Sequence, residues 1–136
     1  MFNAVYKNTE KIRAVVSSTS GTKFLFDKNQ ILDNKPVAWY GLQLATAAQL
    51  SKDVDGKTVI ADAVSDQFLI TLVDNNNREV IKDVPIRNFL TSANSGFTQL
   101  INNFEINLSK SYITMVDNTS VSANTVVIFT VLFDYI

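Results

Sequence analysis

A chain of 136 residues with 46% hydrophobic and 18% charged residues has the composition of a globular protein, not of a disordered segment, and its length fits one domain spanning residues 1–136. Twelve basic against thirteen acidic residues leave a net charge of −1, which argues against a general nucleic-acid binder driven by phosphate neutralisation. With neither cysteine nor histidine, the chain has no disulfide framework, no thiolate nucleophile, no zinc–sulfur site, and lacks the commonest general base and metal ligand. No run is long and apolar enough for a helical membrane span. The start, Met1-Phe-Asn-Ala-Val-Tyr-Lys-Asn-Thr-Glu10, lacks the charged-then-apolar layout of a signal peptide. The product is therefore expected to stay in the cell that makes it, or to leave by lysis or assembly.

Residues 2–16 read as short extended pieces, with Ile12, Ala14 and Val16 on one alternating face. Lys7, Lys11 and Arg13 among them form a solvated face, with a weakly basic lip toward an acidic partner surface or packaged nucleic acid as the competing role. Ser17-Ser-Thr-Ser-Gly21 is a turn, Lys23-Phe-Leu-Phe-Asp27 a short strand, and Asn34-Lys-Pro36 a break, because proline cannot donate to a ladder and restricts the residue before it. Residues 37–44 have a strand-like aromatic start, and the alanine-rich continuation suits a loop or a short helical turn. A loop at 51–56 leads to a further piece at 58–64. Gln67-Phe-Leu-Ile-Thr-Leu-Val73 and Glu79-Val-Ile-Lys-Asp-Val84 flank Asp74-Asn-Asn-Asn-Arg78, the clearest hairpin in the chain, since asparagine tolerates the left-handed backbone of such turns. Pro85 stops the second strand.

Residues 86–103 read as a long connection anchored at Phe89, Leu90, Phe97, Leu100 and Ile101. In the following stretch Phe104, Ile106 and Leu108 share one face while Ile113 and Met115 fall on the other. That strand is either buried on both sides or bulged near Ser109-Lys-Ser111. Asp117-Asn-Thr-Ser-Val-Ser-Ala-Asn124 is a turn. The closing run from Thr125 to Ile136 is dense in β-branched and aromatic residues. Its two faces, Val126, Ile128, Thr130, Leu132, Asp134 and Val127, Phe129, Val131, Phe133, Tyr135, are both largely apolar. Such a strand sits inside a sandwich or has one face covered by another chain, and the protein is expected to end inside its own core. Short strands separated by turn signals along the whole chain predict an all-β antiparallel sandwich or barrel.

Little in the sequence carries reaction chemistry. Ser51-Lys-Asp53-Val-Asp55-Gly56, with Asp62 beyond it, echoes an EF-hand calcium loop. However, Ser51 replaces the first aspartate, Asp62 the bidentate glutamate and Thr58 an apolar residue, and the flanks do not read as helices. Asp and Gly are ordinary turn residues, so no metal site is assigned. The acceptor patterns Asn107-Leu-Ser109 and Asn118-Thr-Ser120 lack a secretory context. Carboxylates alone can run glycoside hydrolysis when paired about 5–10 Å apart, but nothing in the spacing of Glu10, Glu79, Glu105 and the aspartates selects a pair. Glu79 and Glu105 read as solvent-facing strand residues, and no catalytic residue or cofactor is assigned. Trp39 and Tyr40 read as core aromatics, with a platform for a sugar ring as the competing role.

Three pieces in this order resemble small structural proteins of tailless icosahedral bacteriophages: Phe68-Leu-Ile-Thr-Leu-Val73 with Glu79-Val-Ile-Lys-Asp-Val-Pro-Ile86, then Phe104-Glu-Ile-Asn-Leu108 with Lys110-Ser-Tyr-Ile113, then a hydrophobic closing strand. The resemblance covers roughly the second half of the chain. It implies a single jelly roll, about eight strands in two sheets, acting as a non-catalytic capsid, vertex (penton) or minor capsid subunit of a virion. Its partners would be copies of itself and other capsid proteins, with no small-molecule substrate and no specific nucleic acid. The alternative reading is a small β-sandwich that binds a carbohydrate or a receptor.

Overall fold

The computed structural model of the chain describes residues 8–16, 23–34, 37–47, 50, 52–90, 98–116 and 125–135. In chain order its strands are β1 (Thr9–Val16), β2 (Lys23–Leu25), β3 (Val37–Ala45), β4 (Thr58–Val59), β5 (Phe68–Val73), β6 (Glu79–Pro85), β7 (Thr98–Phe104), β8 (Tyr112–Met115) and β9 (Thr125–Tyr135). One short helix, α1 (Gln30–Asn34), and 3-10 turns at Asp62–Gln67, Ile86–Phe89 and Leu108–Lys110 complete the described elements. No helix among the described residues is long and apolar enough to cross a membrane.

The β-branched, aromatic closing segment forms the longest strand and the centre of the first sheet. One flank of β9 pairs with β1 from Thr9↔Leu132 to Val16↔Thr125. Its other flank pairs with β3 from Val37↔Tyr135 to Ala45↔Ile128. Where β3 ends, β4 takes over in parallel register beside Thr125 and Val126. With β7 beyond β3, the first sheet runs β1-β9-β3-β7, and the second runs β2-β8-β5-β6. Apart from β4, every pairing is antiparallel. Setting the two-residue β4 aside, first pairs with last, second with next-to-last, β3 with β7, and β5 with β6: a nested set.

The core lies between the sheets. Ile12, Ala14 and Val16 of β1, Trp39, Leu42 and Leu44 of β3, and Val127, Phe129, Val131 and Phe133 of β9 face Phe24, Phe68, Ile70, Leu72, Ile113 and Met115 of the second sheet. The change from odd to even inward positions along β3 has a local cause. Trp39 lies opposite Phe133 and Gly41 opposite Leu132, so Tyr40 is an extra residue, a bulge that turns the strand over by one position. Phe89, from the turn after β6, meets the Phe129 ring edge-on at 5.9 Å, a geometry aromatic pairs favour.

The structure is the expected all-β sandwich, with local differences. Residues 98–103, read as part of a connection, form β7 together with Phe104. Their Thr, Gln and Asn residues carry no strand pattern, and pairing with β3 supplies the order. The stretch expected to run as one strand from Phe104 is broken: Ile106 makes an isolated bridge to Asp74, Leu108–Lys110 coil into a 3-10 turn, and β8 starts at Tyr112. That turn resets the alternation, so Ile106, Leu108, Ile113 and Met115 are all buried. The piece at 58–64 is a strand only at Thr58–Val59, and Pro85 closes β6 instead of following it. Helix α1 was not anticipated. The end of β9 leaves the core, for Asp134 is exposed and Tyr135 is 49% exposed. The turns expected at 17–21 and 117–124, and Lys7, Phe97 and Asn118, lie outside the described residues.

Phe129→Ala should cost about 3–5 kcal/mol, because the ring is fully buried. Val54→Ala, at a side chain 94% exposed, should change stability by less than about 0.5 kcal/mol. Urea midpoints measured side by side test the assignment, and equal midpoints would remove Phe129 from the core.

Candidate functional site

Two polar assemblies stand out from the sandwich. The first is built on Arg13, on the outer side of β1 opposite Ile128 of β9. Its Nη2 lies 2.9 Å from Asp53 Oδ2 and 2.8 Å from Asp55 Oδ2, and its Nε lies 3.3 Å from Asp27 Oδ2. Arg13 Nε and Asp53 Oδ2 make these charge contacts without an aligned hydrogen bond. Asp53 uses its other oxygen to accept the backbone N–H groups of Asp55 and Lys57, each at 2.9 Å, which closes an Asx turn. Gly56 supplies the left-handed backbone at φ +78°. The excursion between β3 and β4 is thereby held against the outer side of the first sheet, where Val59, Val126 and Ile128 form a small buried cluster.

This arrangement accounts for the calcium-like pattern at 51–56 without a cation. Asp53 and Asp55 point at a guanidinium, and the pattern is that of a turn locked by an ion pair. The side chain of Asp62 lies outside the described ones, and no group of three or more His, Cys, Asp or Glu side chains is disposed to hold a metal among the described residues.

The second assembly is a cleft of about 610 Å³ at one end of the sandwich, between the β2–α1 segment, the β5–β6 turn and the β7–β8 segment. Its volume lies within the roughly 300–1,000 Å³ of small-molecule sites. Leu32, Val37, Ile106 and Leu108 are buried and make an apolar floor, while Lys28, Gln30, Asn75 and Glu105 are exposed at the mouth. The walls are fixed by side chains engaged in local structure. Asn29 Oδ1 accepts the N–H groups of Ile31 and Leu32 at 3.0 Å, and Asp33 Oδ2 accepts the Asn29 N–H at 2.8 Å. This is a reciprocal cap that makes a five-residue helix possible. Asn29 Nδ2 donates to Glu10 Oε1 at 2.9 Å, tying the cap to β1. Ser109 donates to Asn107 Oδ1 at 2.7 Å.

The β5–β6 turn that carries Asn75 is organised by Asp74. Its Oδ1 accepts the N–H groups of Asn76 and Arg78 at 2.8 and 2.9 Å, and its Oδ2 accepts Arg78 Nε at 3.0 Å. The Arg78 backbone N–H is the main reason the Asp74 carboxyl is held below its ordinary range; burial opposes the shift, and the Asn76 N–H and the Arg78 guanidinium add to it. Lys110 donates to Asn77, which joins the turn to the neighbouring 3-10 turn.

Trp39 is fully buried and its Nε1 has no hydrogen-bond partner among the described residues, while Tyr40, the bulge residue, is half-buried. Trp39 therefore offers no platform for a sugar ring. Glu79 and Glu105 are both exposed, but Glu79 contacts Lys82 at 3.2 Å on β6, whereas Glu105 lies past the end of β7 at the cleft mouth. Lys28, Gln30 and Asn75 were not singled out from sequence. Only the Asn-rich turn gave a local signal, and the cleft arises where residues 28–33 meet residues 105–109. Comparison of the chain with protein-family models, with curated proteins and with solved structures finds no match.

Arg13→Ala leaves the nearly buried Asp53 carboxylate, 3% exposed, without its cation. The expected loss is about 1–3 kcal/mol, with faster amide exchange across residues 52–59 and unchanged exchange in β5. Uniform protection in both segments would show that Arg13 does not hold the excursion.

The Asp74 carboxyl is lowered in the folded chain, so its contribution is complete above the ordinary carboxylate pKa of about 3.9 and fades as pH falls through the lower folded value. Asp74→Asn should therefore be less stable than the parent at pH 6, with the gap closing as acid is added below about pH 4. A gap independent of pH would refute the assignment.

Proposed function

We propose that the chain is a non-catalytic structural subunit of a bacteriophage virion, a jelly roll that works by self-assembly and by contacts with neighbouring shell proteins, made in the host cytoplasm. The nested strand order carries this reading. Pairing first with last and inward to β5 with β6, split between two four-strand rows, supports a chain folded as one long hairpin and wrapped into a roll. The fold hosts several functions, so the resemblance of residues 68–86, 104–113 and the closing strand to phage structural proteins selects among them. The use of charged groups points the same way. Asp27, Asp53 and Asp55 surround Arg13, Asp74 organises a turn, and Glu79 pairs with Lys82. These carboxylates act in structure, leaving them poorly suited to a reaction.

A second reading, a carbohydrate- or receptor-binding module, is favoured by one observation: the apolar-floored cleft with exposed polar residues at its mouth.

Mass spectrometry of particles purified from the producing culture should find the chain at a fixed ratio to the main shell protein. Recovery of the chain free and monodisperse, with none in particles, would overturn the assembly reading.

A further inference from the structure

We propose that the cleft between α1, the β5–β6 turn and the β7–β8 segment binds a neutral saccharide. The inference deepens the second reading above and stands independently of the virion role. Four side chains at the mouth are unspent. Lys28, Gln30, Asn75 and Glu105 have no side-chain hydrogen bond or ion pair among the described residues, whereas Asn29, Asp33, Asn107 and Ser109 beside them are held in caps and turns. The local fold thus fixes the walls and leaves a set of donors and acceptors directed by a rigid frame.

The chemistry of that set selects the ligand. Gln30 and Asn75 each offer an amide that both donates and accepts, Lys28 only donates, and ionised Glu105 only accepts. An anionic ligand would meet the carboxylates of Glu105 and Asp33, and a cationic one would meet Lys28. A neutral polyol opposes neither, because every hydroxyl is donor and acceptor at once. The floor adds the second requirement. Leu32, Val37, Ile106 and Leu108 line the base of the cleft; with 2–4% of each exposed, they give the C–H face of a pyranose ring a narrow apolar contact while its hydroxyls reach the mouth. Among the described residues no aromatic side chain lines the cleft, so the expected single-site affinity is weak, about millimolar. Multiple copies held together would raise it through avidity by about 10²–10⁴.

The test is titration of the intact chain, labelled with nitrogen-15, with glucose, galactose, mannose and N-acetylglucosamine at tens of millimolar (roughly 10–100 times a millimolar Kd), followed by two-dimensional amide spectra. At least one sugar should shift resonances of Gln30, Asn75 and residues 105–109 saturably, and Gln30→Ala with Asn75→Ala should weaken that binding at least about tenfold. Both sites are exposed, so the double variant should keep the parental urea midpoint, and Lys28→Ala and Glu105→Ala supply independent variants if it does not. Saturable shifts elsewhere that ignore the cleft variants would overturn the cleft assignment while leaving a carbohydrate-binding module standing. No saturable shift with any sugar in the panel would overturn the saccharide proposal, leaving receptor binding and the particle assay untouched.

Discussion

The inner face of β9 is the constraint on which the remaining structure depends. Val127, Phe129, Val131 and Phe133 lie in one row, each no more than 2% exposed. The backbone that carries them is paired on both flanks, by β1 over the length of that strand and by β3 and then β4 on the other side. A strand so placed cannot shift by one residue without exchanging this row for Val126, Ile128, Thr130 and Leu132. Register is therefore set for β1 and β3 together. The one interruption, at Tyr40, turns β3 over so that Val37 and Trp39 before it and Leu42 and Leu44 after it all reach the core. Phe89, from the turn after β6, then packs on Phe129, joining the crossover from the second sheet to the same row.

The opposite face of β9 is apolar as well, with Val126 and Ile128 beside Thr130 and Leu132. An apolar outer face on a central strand needs a cover, and a neighbouring subunit is one candidate. Here Val126 and Ile128 are buried with Val59 by the chain itself, beneath an excursion fixed by Arg13 and its carboxylates. What remains outward on β9 beyond that cover is Thr130 and Leu132, both half-buried, and the exposed Asp134. The doubly apolar pattern is thus largely an intramolecular feature.

How much of this was legible in the sequence depended on whether the deciding contacts were local. The hairpin at 67–84 was readable because alternation, the Asn-rich turn and β-branched residues agree over a short span. The buried row of β1, Ile12-Ala14-Val16, was readable for the same reason. Strand β7 was not: Thr98, Gln99, Asn102 and Asn103 look like connection, and a long-range partner in β3 overrides that preference. Helix α1 depends on the reciprocal contact between Asn29 and Asp33, a weak signal in so short a segment. At 51–56 the aspartates were visible, but their partner, Arg13, is some forty residues earlier and was read as part of a solvated face. The cleft was hidden for the same reason, being formed by segments far apart in sequence.

Three of the four edge strands, β1, β2 and β6, resist pairing with another chain. An open edge strand invites pairing with another chain. The outward backbone of β1 is partly occupied: the Arg13 carbonyl accepts the Asp27 N–H at 2.8 Å, and the Lys11 carbonyl accepts Asn29 Nδ2 at 3.4 Å. On the second sheet, β6 shifts register twice against β5, places Asp83 at φ 51°, and ends in a proline that cannot donate. Strand β2, at the other edge, has three residues. Extension of either sheet at β1, β2 or β6 is thus disfavoured by hydrogen bonding, kinking or length. The first sheet's other edge is β7, and apolar groups such as Leu25, 59% exposed beside Tyr112, and the exposed Val54 of the clamped turn lie on faces and loop tips. A partner meeting the chain through such surfaces would leave each sandwich intact and would not merge sheets.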